Sequence, residues 1–532
     1  MTSEHTNSVS ERTRLLSSVQ NDDSNDLGNI THNGNSSDDV SNIDDNISDQ
    51  IRISRRIAVA VLCLLLLLIV EFAATLLTIS ISQIEEGVLC RSFYPDVNNP
   101  ATDLRCKSEN VQSELSTIQG WGFTFAIIPG LITAVPYGVA ADKYGRRVIL
   151  SLSILGLLLV EAGVTIICRF PHIFPIRLIW LAALFTLIGG GTFVFNAMIF
   201  TIASDVSTEA QRSTVFFYVA AVAIGGKLIS GPLAFMAVQH SVWLSVYIGL
   251  VCLLACVLLA LAFPETRPLS AVETEETRND DDGRSDTSAS SNITKSRGLK
   301  MRIYDLLELE KLAILVKYFW ENKRLGLLLL SLIFTTLGNY VTIILMQYTT
   351  KRFGWTWAKA GLLSSISAFV NLVLLAAILP ALSQVLLFKY RLSPVAKDAL
   401  LARAGMVALT IGAFGIGFSN TTAMLMTTLV IYSLGYGYES SLRSLLIALA
   451  GEQHTAMLFA AMSVLQNIGM LIAGPLMAWA FRVGLRWGGA WIGLPFISTG
   501  CLLTCATCIV FGVRLTDSTA TRRNSRSSLY PD

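Results

Sequence analysis

The stretch GVAADKYGRR, residues 138–147, places Asp142, Lys143, Arg146 and Arg147 between two long apolar runs. Each run has about 20 residues, the length that a helix needs to cross a hydrocarbon core of roughly 30 Å. Because charged side chains are costly within that core, the stretch is predicted to be a short loop at a membrane surface. It would connect two membrane-spanning helices.

The rest of the sequence repeats this pattern. Of its 532 residues, 52% are hydrophobic and 15% are charged, and the mean hydropathy is +0.56, which is too apolar for a soluble domain of this length. We therefore predict an all-α polytopic membrane protein with twelve transmembrane helices. A long polar tail precedes the first run, which indicates a spanning helix and not a removable signal peptide. The predicted spans are 57–83, 119–140, 148–168, 178–203, 214–238, 242–263, 324–348, 357–380, 400–419, 421–446, 457–481 and 489–512.

The distribution of charge predicts the orientation. The tail 1–56 is rich in Asp, Asn and Ser up to Gln50 and is expected to be disordered. If this tail is cytoplasmic, twelve spans place four basic clusters on the same side, as the positive-inside rule requires. Both termini are then cytoplasmic, although Lys351 and Arg352 fall on the other side. The clusters are Arg52, Arg55 and Arg56; Lys143, Arg146 and Arg147; Lys389, Arg391 and Lys397; and Arg514, Arg522 and Arg523.

Two halves share one plan. The polar segment 264–323 is predicted to be a cytoplasmic linker, with a possible amphipathic helix on the membrane surface, and a second tail covers 513–532. Six spans lie in 57–263 and six in 324–512, which predicts two pseudo-symmetric six-helix bundles, as in transporters that rock around a central site. Residues in the two halves match at an offset of 243: Gly226 with Gly469, Gly231 with Gly474, Pro232 with Pro475, and Glu209 with Glu452.

The stretch 138–147 resembles the loop between the second and third helices of the major facilitator superfamily (MFS). Its position after the second span and the layout of six plus six spans agree with that resemblance. The likeness implies the MFS fold, transport by alternating access, and a latch that holds the outward-facing state. VEFAATL (70–76) and FPETRP (263–268) resemble the branch of the proton-coupled folate transporter and fungal facilitators. GGKLISGP (225–232) is similar to part of the Gly-Pro pattern of drug/proton antiporters.

Charge and spacing predict how the latch works. Asp142 could lie at the positive end of the eleventh helix, and Arg146 could pair with Asp205 or Glu209. Gly138 and Gly145 would allow close helix approach and a tight turn. The alternative is that these charges only fix the topology. The predicted latch residues are Gly138, Asp142, Lys143, Gly145, Arg146, Arg147, Asp205, Glu209, Arg212 and Glu265.

Ionisable groups within the spans are functional candidates, because burial of a charge in a membrane is expensive. Glu71 and Glu439 are predicted proton-coupling residues. The alternative for Glu71 is a structural bond to a neighbouring helix, and the alternative for Glu439 is a structural salt bridge with Arg443. Glu161 is interpreted as structural. Lys227 could bind a carboxylate or pair with Glu71. The predicted substrate cavity contains Lys227, Asn196, Asn339, Tyr340, Tyr436, Arg443, Gln466 and Asn467.

Two further patterns are predicted. Cys90 and Cys106 lie in the one sizeable exoplasmic loop, where an oxidising compartment would let them form a disulfide. Glu11, Leu15 and Leu16 resemble an acidic dileucine sorting signal. Cys501, Cys505 and Cys508 lack a His or acidic partner, so no metal site is predicted.

The predicted function is secondary transport of a small organic solute across a lipid bilayer. Protons are the predicted coupling ion, and export of a metabolite or drug is favoured over import. The alternatives are an importer of an organic anion or vitamin-like solute, and a non-transporting nutrient sensor. The sequence contains no enzyme motif and predicts no cofactor and no nucleic-acid partner. We expect a monomer in the plasma membrane or in a vacuolar or lysosomal membrane.

Overall fold

The computed structural model describes residues 36–207, 212–262, 264, 323–450 and 455–513. The chain divides into two units, Met1–Arg56 and Ile57–Asp532, and the second contains all of the predicted spans. Every regular element in the described ranges is helical, as the sequence predicts. The predicted sorting signal, the amphipathic helix of the linker and the carboxy-terminal tail lie outside these ranges.

We call residues 57–264 the amino-terminal half. Its helices follow the predicted apolar runs, and short 3-10 turns lie between some of them. The helices are α1 (Ser36–Phe93), α2 (Glu109–Tyr144), α3 (Arg146–Arg169), α4 (Ile179–Ala182), α5 (Gly191–Val206), α6 (Arg212–His240) and α7 (Val242–Leu261).

We call residues 323–513 the carboxy-terminal half. Two π-helical turns, Leu374–Ile378 and Val385–Lys389, extend the eighth predicted span around Pro380, whose missing N–H would interrupt a regular α-helix. The helices are α8 (Lys323–Asn339), α9 (Thr342–Phe353), α10 (Trp357–Val373), α11 (Leu379–Gln384), α12 (Pro394–Gly417), α13 (Thr422–Leu434), α14 (Tyr438–Ala450), α15 (Thr455–Trp487) and α16 (Leu494–Gly512).

Among the described residues, eleven helical segments are long and apolar enough to cross a membrane. The tenth predicted span is divided by a 3-10 turn, Gly435–Gly437, between α13 and α14. A Cβ on Gly435 would lie 2.4 Å from Leu409, and one on Gly437 would lie 2.6 Å from Leu379. The chain therefore bends where only glycine fits against its neighbours.

The fourth predicted span also differs from a continuous helix. Gly189, Gly190 and Gly191 all have positive φ angles, and the regular helix α5 begins only at Gly191. A Cβ on Gly156 of α3 would lie 1.9 Å from the carbonyl oxygen of Ile188. The irregular backbone is thus packed directly against the helix before it. The span predicted over 178–203 is present as Ile176–Val206, but short 3-10 segments interrupt its α-helix.

Helix α1 is longer than predicted at both ends. It begins at Ser36, within the tail that we expected to be disordered, and it continues to Phe93. The predicted first span ended at residue 83, before Glu85 and Glu86. The structure places both carboxyl groups on the helix and buries them.

Each half has its own hydrophobic core. One cluster is built from α1 to α7 and the other from α8 to α16. Three described residues are exceptions: Trp357 and Ala358, at the start of α10, pack into the core of the amino-terminal half, and Met346 of α9 packs against it. The halves are therefore joined where α10 begins.

Candidate functional site

The loop 94–108 connects α1 to α2, and we call the end of the bundle that carries it the disulfide end. Cys90 and Cys106 form a disulfide there. Arg105 donates to Asp96 at 2.7 Å and to Asp103 at 2.8 Å. These hydrogen bonds lower the pKa of both aspartates and raise that of Arg105. The loop is therefore tied to the end of α1 and cross-linked by ion pairs.

Glu86 lies next to this loop and is 3% exposed. Its Oε1 accepts hydrogen bonds from Lys107 Nζ at 2.6 Å and from the Gln112 side-chain amide. Its Oε2 accepts from the Trp357 indole nitrogen at 2.8 Å. Burial lowers the pKa of Lys107, and the charge of Glu86 opposes that change. We call these four residues the Glu86 junction; it joins the two halves.

Polar contacts between the halves continue beside this junction. The Gln347 side-chain amide of α9 donates to the Gln112 carbonyl at 2.8 Å and to its side-chain oxygen at 3.1 Å. Arg482 of α15 donates to Ser113 Oγ at 2.9 Å and also to Thr117. Groups in α9 and α15 therefore contact the first turns of α2.

Helices α2 and α15 meet where both carry glycine. A Cβ on Gly120 would lie 2.6 Å from the Gly474 carbonyl oxygen, and one on Gly474 would lie 2.2 Å from that of Gly120. Thr124 donates to the carbonyl of Leu471 at 3.0 Å across the same contact. Backbone here touches backbone, so any side chain would separate the halves.

Helices α6 and α10 form a second contact of this kind. A Cβ on Gly231 would lie 1.9 Å from Ser365 Oγ, and that hydroxyl donates to the carbonyl of Lys227 at 3.0 Å. Gly361 of α10 lies against Ile79 of α1, where a Cβ would approach to 2.3 Å. Gly231 and Gly474, matched in the sequence at an offset of 243, thus occupy the two main helix contacts between the halves.

At the opposite end of α2, the predicted latch includes an ion pair. Arg146 Nη1 contacts Asp205 Oδ2 and donates to the carbonyl of Thr201 at 3.2 Å. The two charged side chains are only 14% and 17% exposed. Gly145 has a φ of 96°, so it makes the tight turn between α2 and α3.

Three other predicted latch residues lie at the surface. Asp142, Lys143 and Arg147 are exposed, and the Lys143 ammonium lies 5.2 Å from the centre of the Tyr144 ring. A Cβ on Gly138 would meet no atom of the described residues within 4 Å, so none of them makes the predicted close helix approach at Gly138. Glu209 and Glu265 lie outside the described residues, as does the side chain of Arg212.

Charged groups from the spans form two separate sets. In the amino-terminal half, Lys227 Nζ lies 4.0 Å from Glu71 Oε2, and the Lys227 side chain is 56% exposed. In the carboxy-terminal half, Glu439 Oε1 accepts from Arg443 at 2.5 Å and from Gln466 at 2.6 Å. Each predicted proton-coupling carboxylate therefore has a cation beside it.

The remaining predicted cavity residues lie on both halves. The Tyr340 ring contacts Phe123 across the two halves, with ring centres 4.9 Å apart. Asn339 accepts from Tyr432 at 3.4 Å. Tyr436 is half exposed. Asn196 and Asn467 form no side-chain hydrogen bond in the part of the chain that the structure describes.

The sequence prediction missed the buried polar groups of the disulfide end. Gln119, Gln347 and Trp357 lie at the ends of predicted spans, whereas Glu85, Glu86, Lys107 and Gln112 fall in the predicted loop between the first two spans. The pattern that could have identified them is the helical spacing of Ile81, Ile84, Val88 and Leu89 beyond the predicted end of the first span. Within the described residues, no group of His, Cys, Asp and Glu side chains could hold a metal ion. The missed residues are Glu85, Glu86, Lys107, Gln112, Gln119, Gln347, Trp357 and Arg482.

Known proteins resemble this chain in sequence. The family model for the Major Facilitator Superfamily matches residues 109–474. Efflux pump ustT of Aspergillus flavus is 30% identical over 435 residues, which cover 81% of this chain and 83% of that protein. MFS efflux pump atnC of Emericella nidulans is 27% identical over 461 residues, which cover 83% and 85%.

Solved structures share the fold at low sequence identity. The nucleoside transporter NupG has a TM-score of 0.56 at 12% identity, over 85% of this chain and all of NupG. A bacterial homologue of the human lysosomal transporter Spinster has a TM-score of 0.54 at 14% identity, over 87% of this chain and 99% of that one. The family match spans more than half of the chain, and the helical architecture agrees with it. The chain therefore belongs to the Major Facilitator Superfamily of membrane transporters.

Proposed function

We propose that the protein is a secondary active transporter that moves a small organic solute by alternating access, driven by protons. The observation that carries this proposal is the closure of the disulfide end by contacts between two similarly built halves. Gly120 with Gly474 and Gly231 with Ser365 provide two equivalent helix contacts, and the Glu86 junction lies beside the first. Closely packed interfaces of this kind favour discrete states over continuous deformation.

The solute that suits the proposed pathway is amphipathic and carries ionisable or hydrogen-bonding groups. Lys227 and Glu71 supply opposite charges from one half, and Glu439 and Arg443 supply them from the other. Tyr340 and Phe123 add an aromatic surface between the halves. A few fixed polar groups among apolar and aromatic side chains are typical of sites for organic molecules.

Export is the direction that we propose. The Aspergillus and Emericella relatives are both named efflux pumps and align with more than four fifths of this chain. In this orientation both termini are cytoplasmic, the disulfide end faces the exoplasmic side, and the solute is loaded from the cytoplasm. The membrane would be the plasma membrane or that of a vacuole or lysosome.

The ion pair of Arg146 with Asp205 supports a latch on the cytoplasmic side. Asp142 would complete this latch by binding near the start of α15 when that side closes. Changing Asp142 to Ala should then impair flux and leave the amount of protein in the membrane near normal. Glu109→Ala, which removes an exposed carboxylate at the opposite end of α2, is the matched control.

The test is flux in proteoliposomes with an imposed proton gradient. The vesicles would be loaded with a small-molecule extract of the cells that make the protein, and the solutes moved would be identified by mass spectrometry. We expect proton-driven movement of a small set of amphipathic solutes. Solute flux that does not depend on the proton gradient would reject proton coupling. A lack of any protein-dependent flux would reject transport.

A further inference from the structure

We propose that Glu85 of helix α1 is a proton-binding site. It takes up a proton when the disulfide end is open and keeps that proton while this end is closed. The inference deepens, and rests on, the proton-coupled transport proposed above. It assigns the coupling proton to a residue other than Glu71 and Glu439, and it links binding of that proton to closure of one end of the pathway.

The surroundings of Glu85 are those of a neutral acid. The residue is 5% exposed, and its Oε2 accepts a hydrogen bond from the Gln119 amide at 2.9 Å. That amide also donates to Ser82 Oγ at 3.2 Å. Within the described ranges, Oε1 accepts no hydrogen bond and no Lys, Arg or His nitrogen lies within 4.0 Å of the carboxyl group. A buried carboxylate with one neutral donor is costly, whereas the protonated acid is not.

Glu86, the next residue, provides an internal comparison. It is buried to the same degree on the same helix, but it accepts from Lys107, Gln112 and Trp357. A buried carboxylate can remain ionised when a cation and further donors surround it. The two adjacent carboxyl groups therefore differ in their surroundings: Glu86 has a cation and two further donors and links the halves, whereas Glu85 has one neutral donor.

The titratable groups that face Glu85 do not compensate its charge. Glu161 and Cys168 of α3 are close enough to interact electrostatically with Glu85, and both are acidic. On its own helix the neighbouring titratable group is Glu86, whose charge is already balanced by Lys107. By contrast, Glu71 and Glu439 each have a cation within 4.0 Å. Unlike Glu71, Glu86 and Glu439, Glu85 thus lacks a neighbouring cation that would favour its ionised form in this state.

A route for the proton follows from the position of Gln119. With Phe123, Tyr340 and Gln347, Gln119 lines a gap of about 10 Å³ between the halves, which is roughly the space of one water molecule. Glu85 does not line the gap itself, but its carboxyl group accepts a hydrogen bond from Gln119. When the halves separate at the disulfide end, water from that side reaches Gln119 and then Glu85.

The chemistry is a single proton transfer. A hydronium ion on the disulfide side gives its proton to the Glu85 carboxylate, a carboxyl O–H bond forms, and water leaves. The neutral acid then loses its hydration at little cost when the halves close. Acid on the disulfide side therefore favours closure of that end, as a transporter driven by an inward proton gradient requires.

The test is infrared difference spectroscopy of the full-length protein in lipid nanodiscs near neutral pH, with the proton as the only ligand. The probe is the C=O stretching band of protonated carboxylic acids. Glu85→Gln should remove the contribution of one carboxyl group from this band. Asp96→Asn is the matched control and should leave the band intact, because hydrogen bonds from Arg105 lower the pKa of this exposed loop carboxyl group. A Glu85→Gln spectrum identical to wild type would overturn the site.

If Glu85→Gln does not fold, Gln119→Leu is the second variant. It leaves the carboxyl group in place and removes its hydrogen-bond donor, so the band should move to higher frequency; an unmoved band contradicts the proposal.

Transport is measured separately. A band that depends on Glu85, in a protein that moves no solute with protons, would reject the proposed function and keep the proton site. Proton-driven flux in a protein whose band does not depend on Glu85 would reject the proton site and keep the proposed function.

Discussion

Trp357, the first residue of helix α10, donates its indole hydrogen to Glu86 of helix α1 at 2.8 Å. The ring of Trp357 also packs into the core of the amino-terminal half, although it belongs to the other half of the chain. Hydrogen bonds to charged groups contribute about 1.5–3 kcal/mol. This one contact can therefore change the equilibrium between closed and open states substantially.

Trp357→Phe keeps an aromatic ring and removes the indole donor. We expect the disulfide end to open about tenfold more often, because about 1.4 kcal/mol of closure free energy corresponds to a factor of ten. Amide hydrogen exchange of peptides covering 104–118 and 343–358 measures the opening. Trp355→Phe is the control, since Trp355 contacts Phe353 and Lys359 of its own half. Equal exchange in both variants would contradict a role of the indole in closure.

The sequence predicts the membrane fold because hydrophobic spacing is local information. It also predicts the equivalence of Gly231 and Gly474, and the structure places these residues at corresponding helix contacts between the halves. Gly226 and Gly469 are also equivalent, but their contacts lie within each half: a Cβ on Gly226 would lie 3.1 Å from Glu71, and one on Gly469 would lie 3.0 Å from Thr336. Small residues matched at a constant offset therefore identify close helix contacts, both between the halves and within them.

The polar groups of the disulfide end could not be predicted in the same way. Glu85 and Glu86 are adjacent and chemically identical in the sequence, and their different surroundings depend on Lys107, Gln119 and Trp357, which lie far along the chain. Hydropathy alone predicts that a span ends before two adjacent carboxyl groups. In the structure, Glu85 and Glu86 are instead buried with partners from other parts of the chain. The contacts that distinguish the two carboxyl groups are tertiary, so no local pattern reveals them.

Removal of the disulfide should destabilise the disulfide end. Cys90 and Cys106 are 16 residues apart, and closing a loop of that size contributes about 3 kcal/mol in the chain-entropy model. The Cys106 carbonyl also accepts from Gln112, a member of the Glu86 junction. We expect Cys90→Ser/Cys106→Ser to lower the Tm, and wild type with reductant to behave in the same way. Cys501→Ser, which removes an exposed free thiol, should leave the Tm unchanged. If reductant still lowers the Tm of the double variant, the decrease has a cause other than this disulfide.

The stabilisation that Arg105 gives to the loop 94–108 should be lost only at low pH. Hydrogen bonds from Arg105 lower the pKa of Asp96 and Asp103 from the ordinary value of 3.8. A folded-state pKa below the unfolded value gives stabilisation that is present above the unfolded pKa and lost as pH falls through the folded pKa. The Tm difference between wild type and Arg105→Gln should therefore be constant from about pH 7 to pH 5 and shrink below the ordinary pKa. A difference that grows on acidification would contradict this assignment.

Gly120→Ala should destabilise the closed disulfide end. The added methyl group would lie 2.6 Å from the Gly474 carbonyl oxygen, and overpacking of this kind costs about 1–3 kcal/mol. Gly138→Ala, on the same helix, meets no atom of the described residues within 4 Å and should gain up to about 1 kcal/mol from helix propensity. Thermal unfolding of the two variants is the measurement. Shifts of equal sign and size would show that the close approach of α2 and α15 does not limit stability.

The pair Arg146–Asp205 is tested best by a double-mutant cycle. Both side chains are largely buried, and removal of one member of a buried ion pair costs about 3–5 kcal/mol because the other charge remains without compensation. Arg146→Gln and Asp205→Asn should each lower the Tm, and the double variant should lose less than the sum of the two. Arg147→Gln removes an exposed neighbouring charge and should change stability by less than about 0.5 kcal/mol. Additive losses would mean that the residues act independently. If the double variant regains stability but not flux, the pair serves the transport cycle as well as the fold, because a purely structural pair would restore both.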